Sequence, residues 1–284
     1  MSGSLSRNIT IRKTGTVISC EAITGMLRIE ARNVTIVNSS VTASSGRTGA
    51  SANGTSGITV DDGASATIDH VRINGTDGVH ACIWYQGARL TVNAINCYGI
   101  DDGIFSWADP SYSNTTGNNF TIENSYFHGF TTRTANGHED GYQTEGAANG
   151  RIEHNTYQMT TAADSAIAIW DSRRSSRNIT VSGNLITGGG FAIYAEDYSP
   201  GGGGPSDRTA AGGFSIRDIR FTDNAFSAYA SGCVGSFGVW FTRPSWRPYS
   251  GGPTDGWHRS GNRVLETGQN IDNSNPLSHG TLCT

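Results

Sequence analysis

"AIAIWDSRRSSRNITVSGNLITGGGFAIYAED", residues 166–197, decides the fold. It opens and closes on the same kind of strand, "AIAIWD" from residue 166 and "AIYAED" from residue 192. Between them stands "ITVSGNLI" (179–186), an alternating run followed by a polar turn and another apolar pair. Alternation with period two marks half-buried strands, and no 3.6-residue period is sustained anywhere in the chain. A unit this short cannot bury its apolar face alone. It has to stack on copies of itself.

The copies are present on both sides. The first strand kind recurs as "GITVDD" (57–62), "CIWYQG" (82–87), "GIFSWA" (103–108), "GYQTEG" (141–146) and "GVWFTR" (238–243). Taking first residues 57, 82, 103, 141, 166, 192 and 238, the steps are 25, 21, 38, 25, 26 and 46. Four steps fit one coil, and two fit one coil plus an insertion. The inserted segments include "ADPSYSNTTGNN" (108–119), "TTRTANG" (131–137) and the glycine-rich "SPGGGGPSDRTAAGG" (199–213). The second strand kind recurs as "NVTIVNSSV" (33–41), "ATIDHVRI" (66–73), "LTVNAINC" (90–97), "FTIENSYF" (120–127), "RIEHNTYQ" (151–158) and "IRFTDNAF" (219–226). Asn155, Asn184 and Asn224 share one turn position, with Ser39 and Ser125 in the same column. Amides stacked on successive coils can bond one another without any functional role. His70 and His154 share a neighbouring turn column and read as structural.

The expected fold is therefore all-β: a right-handed, single-stranded parallel β-helix, a solenoid with long loop insertions. One domain over 1–284 suffices, with core coils over about 8–270 and insertions over about 108–137 and 199–213. Alternation assigns the interior to the columns Ile58, Ile83, Ile104, Tyr142, Ile167, Ile193, Val239 and Val60, Tyr85, Ser106, Thr144, Ile169, Ala195, Phe241. The outward columns are then Thr59, Trp84, Phe105, Gln143, Ala168, Tyr194, Trp240 and Asp61, Gln86, Trp107, Glu145, Trp170, Glu196, Thr242. Aromatics beside carboxylates and amides on an exposed strip suit sugar rings. The competing reading is that the insertions fold over this strip as a second small core.

Composition narrows the partners. Charged residues are 15% of the 284 and the net charge is −4, which disfavours nucleic acid and anionic membranes. No run of 18 apolar residues offers a membrane span. The opening "MSGSLSRNIT" lacks an export signal's apolar stretch, so secretion, expected here, would need a signal peptide outside this sequence. A monomer is expected. Cys20, Cys82, Cys97, Cys233 and Cys283 lack metal-ligand spacing. They read as one or two disulfides plus a buried thiol; Cys233 with Cys283 is one candidate pair, and the connectivity stays open.

The chemistry concentrates in "GHEDGYQTEG", residues 137–146, with one histidine and three carboxylates. Just ahead of the first strand kind, successive coils carry His80, then Asp101-Asp102, then His138-Glu139-Asp140, then Asp164. Coils spaced by about 4.8 Å bring Asp102 and Asp140 to about 5 Å at the backbone, and Glu145 and Glu196, two coils apart, to about 9.6 Å. Glycoside hydrolysis uses two carboxyls about 5–5.5 Å apart when retaining and about 6.5–9.5 Å apart when inverting. Stacked carboxylates also raise one another's pKa, as a general acid requires. Asp102 and Asp140 are assigned as the acid/base pair, with His138 and His80 tuning them or relaying protons. Glu145, Gln143, Trp107 and Trp170 would hold the sugar, and Trp84, Phe105, Tyr194, Glu196 and Trp240 extend the strip. No cofactor is required, with calcium an option at Asp101 and Glu139; turn-capping is the competing role for these acids.

The run from "GHEDGYQTEGAANGRIEHNTYQ" to "DGWHRSGNRVLETG" is similar to secreted right-handed β-helix proteins of actinobacteria. Those carry a His-x-Asp-Gly-x-Gln motif, matched here by His138, Asp140, Gly141 and Gln143. The resemblance spans roughly residues 30 to 270 and implies the pectate-lyase-like superfamily. That superfamily holds polygalacturonases, pectate and alginate lyases, epimerases and phage tailspikes. The polygalacturonase Gly-His-Gly and Arg-Ile-Lys motifs are absent. Three functions stay open on a polysaccharide or oligosaccharide partner. They are a glycoside hydrolase using paired carboxylates, a lyase performing calcium-assisted β-elimination on a uronate polymer, and a non-catalytic glycan-binding or tailspike-like module.

Overall fold

The structure is a computed structural model that describes residues 3–47, 50–52, 54–76, 78–106, 117–131, 137–160, 163–196, 216–232, 234–243 and 256–273, with the backbone alone at 196 and 241–243. Among them, three parallel sheets of 10, 9 and 9 strands run along one stack. Each turn of chain gives one strand to each sheet, as Ala81–Tyr85, Arg89–Asn93 and Asn96–Tyr98 do. The chain is a parallel β-helix, as its repeats predict. The first expected insertion encloses two regular strands, Phe120–Glu123 and Tyr126–His128, so the departures from the coil are shorter than about 108–137 suggests.

Two corners fix the coils. At one, a left-handed residue recurs in every turn: Asn38, His70, Ala94, Asn124, His154 and Asp223 have φ of 51, 52, 52, 54, 55 and 55°. Gly183 and Gly261 take the same place. His70 and His154 are thus turn formers. The residue after this position is apolar at Val71 and Ile95 and serine at Ser39 and Ser125, and from Asn155 onward it forms the expected amide ladder. Asn184 Oδ1 accepts from Asn155 N at 2.9 Å and Asn155 Nδ2 at 3.1 Å. Asn224 does the same for Asn184, and Asn262, which the repeats did not reveal, does so for Asn224. Each Nδ2 also reaches a carbonyl, as Asn184 does Ile152 O at 2.9 Å. Asp272 ends the ladder by accepting from Asn262 N at 2.9 Å and Nδ2 at 2.7 Å.

The second corner decides the site. In the site-bearing sheet, Ala81 pairs with Ser56 and Asp102, and Ile83 pairs with Ile58 and Ile104, so one residue per strand is skipped. That residue and the next both face inward. Cys82 bonds Cys97 inside the coil, while Ile83 lies in the core. A Cβ on Gly57, Gly103 or Gly141 would meet Ile73 at 2.9 Å, Phe127 at 2.9 Å or Tyr157 at 2.4 Å. The strand therefore bends between two inward side chains, and the residue before the bend returns to the outside. Asp102 and Asp140 occupy that position.

The last coil shows the cost of ignoring the bend. Strict alternation put Val239 beside Ile193 and Trp240 on the outer strip; instead Ile193 pairs with Trp240, one residue on. Trp240 is buried, lies against Phe221 and Phe226, and donates from Nε1 to Ile271 O at 3.1 Å. It belongs to the core, not to a groove. The backbone of Phe241 pairs with Tyr194. The Cys82–Cys97 disulfide closes a loop of separation 15, a constraint worth about 3 kcal/mol. Cys20 is free and half-buried. A Cys233–Cys283 pair lies outside the described residues.

Asn184→Ala leaves the ladder neighbours of Asn184 unpartnered in the core and should lower stability by about 1–3 kcal/mol. Urea midpoints should fall with an unchanged slope, whereas Arg72→Gln on the exposed face should shift stability by less than about 0.5 kcal/mol. The ladder's end also has a pH signature. Burial pushes Asp272 upward, but hydrogen bonds from Asn270, Asn262 and Gly261 outweigh it and hold the carboxyl below its ordinary range. A depressed folded pKa stabilises above the unfolded value of about 3.9 and loses that contribution as pH falls through the folded one. Thermal midpoints of wild type and Asp272→Asn should differ at pH 6 and converge below about pH 3.9.

Candidate active site

Sheet pairing confirms the outer column Thr59, Trp84, Phe105, Gln143, Ala168 and Tyr194, one residue per coil. Its exposure differs from expectation. Phe105, Gln143 and Trp170 are buried, while Trp84 and Tyr194 are half-buried. The strip is covered over its centre rather than open along its length. Its rings contact one another: Trp84 meets Phe105 edge-on at 4.6 Å, and Trp170 meets Tyr194 edge-on at 5.8 Å. Trp107 and the Glu196 side chain lie outside the described residues.

The acids form a column beside these rings. Asp140 N donates to Asp102 Oδ1 at 3.0 Å, so the two aspartates occupy adjacent coils as the register predicts. His80 Nδ1 accepts from Gly54 N at 3.1 Å, which leaves the ring proton on Nε2, 2.8 Å from Asp102 Oδ2. Burial alone would lower the His80 pKa, but the hydrogen bond to Asp102 and the charges of Asp102 and Asp101 raise it above its ordinary value. A second proton on Nδ1 would have to displace the Gly54 contact. His80 also lies against Trp84 and Phe105, with ring centroids 5.9 and 6.0 Å away.

Asp140 is the centre. It has no exposed surface, and its Oδ1 accepts from the Ser165 hydroxyl. Its Oδ2 lies 4.0 Å from His138 Nδ1, and neither atom has a hydrogen-bond partner among the described residues. Burial, then the charge of Asp102, pushes the Asp140 carboxyl well above the usual carboxylate range; Ser165 partly offsets this and Asp164 adds to it. Asp164, exposed, donates from its backbone N to His138 O at 2.8 Å. Its carboxyl is raised by burial, lowered by His138, and raised again by Asp102 and Glu139. Ligand atoms of His138, Asp140 and Asp164 all lie within 4.8 Å of one another. The His138 side chain is 36% exposed and meets the Trp170 ring edge-on at 6.1 Å.

The structure gathers His80, Asp102, Asp140 and His138 and adds Asp164 and Ser165. Both additions had a signal: Asp164 already stands in the series of acids on successive coils, and Ser165 precedes Ile167 by two residues, as Asp140 precedes Tyr142. Glu145 is not in this group. It is five residues beyond Asp140, about 16 Å along an extended strand, and it pairs with Arg173. Its carbonyl accepts from Arg173 N and Arg174 N at 3.0 and 3.2 Å, so it braces a corner. Asp101 and Glu139, the calcium option, are buried. Gly137 closes on the Asp101 carboxylate, and Thr160 Oγ1 donates to Glu139 Oε2 at 2.8 Å. The potential ligands that converge are His138, Asp140 and Asp164 instead.

No protein-family model matches the chain, and no curated protein matches it. Among solved structures it is similar to the pectate lyase Bsp165PelA from Bacillus sp. N165, crystallised with trigalacturonate. Identity is 13% over 96% of this chain and 79% of that chain, with a TM-score of 0.34.

Glu145→Gln should leave turnover on any responsive glycan within about twofold, because it breaks a partly exposed ion pair worth about 0–1 kcal/mol and removes no group of the acid column. A loss of turnover like that of an Asp140 variant, in the same reducing-end assay, would return Glu145 to the site.

Proposed function

We propose that the chain is a carbohydrate-cleaving enzyme, a retaining glycoside hydrolase with Asp140 as general acid and Asp164 as nucleophile. The observation that carries this reading is the approach of two carboxylates from adjacent coils, with oxygen atoms within 4.8 Å of each other. Retention uses a separation of about 5–5.5 Å, while inversion needs about 6.5–9.5 Å to admit a water. Asp140, sealed from water, is the member suited to hold a proton. Asp164 is the one that solvent and substrate reach directly.

Asp140 gives its proton to the glycosidic oxygen while an Asp164 oxygen attacks the anomeric carbon, and water then hydrolyses the glycosyl ester with Asp140 as base. Substrate access to the buried Asp140 requires movement of the His138 ring, whose side chain is 36% exposed. Asp102 and His80 are positioning residues: they fix the backbone N–H and the charge next to Asp140. Tyr194, half-buried on the next coil and edge-on to the buried Trp170 ring, supplies a ring face for a sugar.

A polysaccharide panel read for new reducing ends should find a substrate, and proton NMR of fresh product should show the starting anomer. Asp140→Asn and Asp164→Asn should each lower kcat by about 10²–10⁴. Asp102→Asn, which keeps an acceptor for Asp140 N–H, should cost less than either. An unsaturated product absorbing in the ultraviolet would assign a lyase. A glycan bound but left whole would assign a binding module.

A further inference from the structure

We infer that His138, Asp140 and Asp164 form a binding site for a divalent transition-metal ion of the zinc, cobalt or manganese kind. The inference uses the same residues as the proposed hydrolase but does not depend on their catalytic role.

Two buried atoms carry it. Asp140 Oδ2 and His138 Nδ1 face each other at 4.0 Å, with no hydrogen-bond partner for either among the described residues. Buried polar atoms are partnered in the great majority of cases, and 4.0 Å is too long for a shared proton. An ion between them satisfies both. Donors that each lie about 2.0–2.2 Å from one tetrahedral ion are about 3.3–3.6 Å apart, so a shift of about 0.5 Å by the partly exposed His138 ring brings the pair into range. Asp164 closes the set from the exposed side.

The surroundings are those of a prepared site. The Ser165 hydroxyl holds Asp140 Oδ1 and leaves Oδ2 pointing at the gap, as an outer partner orients a ligating carboxylate. Asp164 N donates to His138 O at 2.8 Å, so two of the three ligands are tied by backbone. An imidazole nitrogen in the set selects against calcium and magnesium, which take oxygen donors, and for borderline ions. Three protein donors leave an open position for water or a substrate oxygen. Both carboxylates would be occupied, so metal loading and acid-pair hydrolysis exclude each other.

The test is a titration of the chelator-treated full chain with Co²⁺, read by visible d–d absorption and by calorimetry, with no glycan present. Saturable one-to-one binding is expected, displaced by Zn²⁺ and not by equimolar Ca²⁺. His138→Gln and Asp164→Asn should each weaken Co²⁺ binding by about tenfold or more with wild-type far-ultraviolet circular dichroism. Absence of binding, binding that survives both substitutions, or displacement by equimolar Ca²⁺ overturns the inference. Because no glycan enters, its failure leaves the hydrolase untouched, and a catalytically silent protein that binds Co²⁺ this way still supports it.

Discussion

The site depends on a steric constraint at one corner of the coil. Two successive side chains point inward there, and on the acid-bearing coils the first of them is glycine. A Cβ on Gly103 would come within 2.1 Å of Gly141 O, and one on Gly141 within 2.5 Å of Ala166 O. The space is filled from across the coil by Phe127 and Tyr157, stacked at 4.9 Å and nearly parallel. Glycine against a large ring keeps the interior at native packing density while the coils stay at hydrogen-bonding distance. The bend so produced turns Asp102 and Asp140 out of the core. Without it they would face Phe127 and Tyr157, where no charge could be accommodated.

Turning outward does not make these acids solvent-exposed, and the burial has consequences. Asp101, Asp102 and Asp140 have no exposed surface. Isolated buried charges cost several kcal/mol or more, so each must be neutralised or partnered. Asp102 spends one oxygen on a backbone N–H and faces His80 with the other. Asp140 takes the alternative route and shifts toward its neutral form. Elsewhere the coils are secured by the amide ladder and by continuous backbone pairing.

The solenoid was legible because its signals repeat. A column of Asn155, Asn184 and Asn224 at one turn position is strong evidence of stacked coils, and the register of Trp84, Phe105, Gln143 and Tyr194 followed from simple alignment. The bend was not legible from alternation. Counting back by twos from Ile104 points Asp102 into the core, and only the small residues at 57, 82, 103, 141, 166 and 192 mark the parity change. In the last coil that place holds Val239, so the mark is missing and Trp240 was set one residue out of register. Glu145 failed differently. It shares a column with Trp170, but that column lies five residues farther along the strand than Asp140, about 16 Å away. Asp164 stood in the series of acids ahead of the strand but received no role, because the sequence does not show how close the turn before Ser165 brings it to Asp140.

Coil spacing also restricts what any group of acids on this fold can do. Side chains on one column are separated by whole multiples of about 4.8 Å. One step suits a shared nucleophile and acid, or a single bridging ion; two steps, about 9.6 Å, fall at the upper end of the range for an inverting pair. Intermediate separations arise only when one member leaves the column, as Asp164 does by preceding Ser165. The reaction open to such a wall is therefore set by which coil carries the second carboxylate and by how far the turn before that coil displaces it. Here the displacement keeps Asp164 within 4.8 Å of Asp140, close enough for retention or for metal and too close for an attacking water between them.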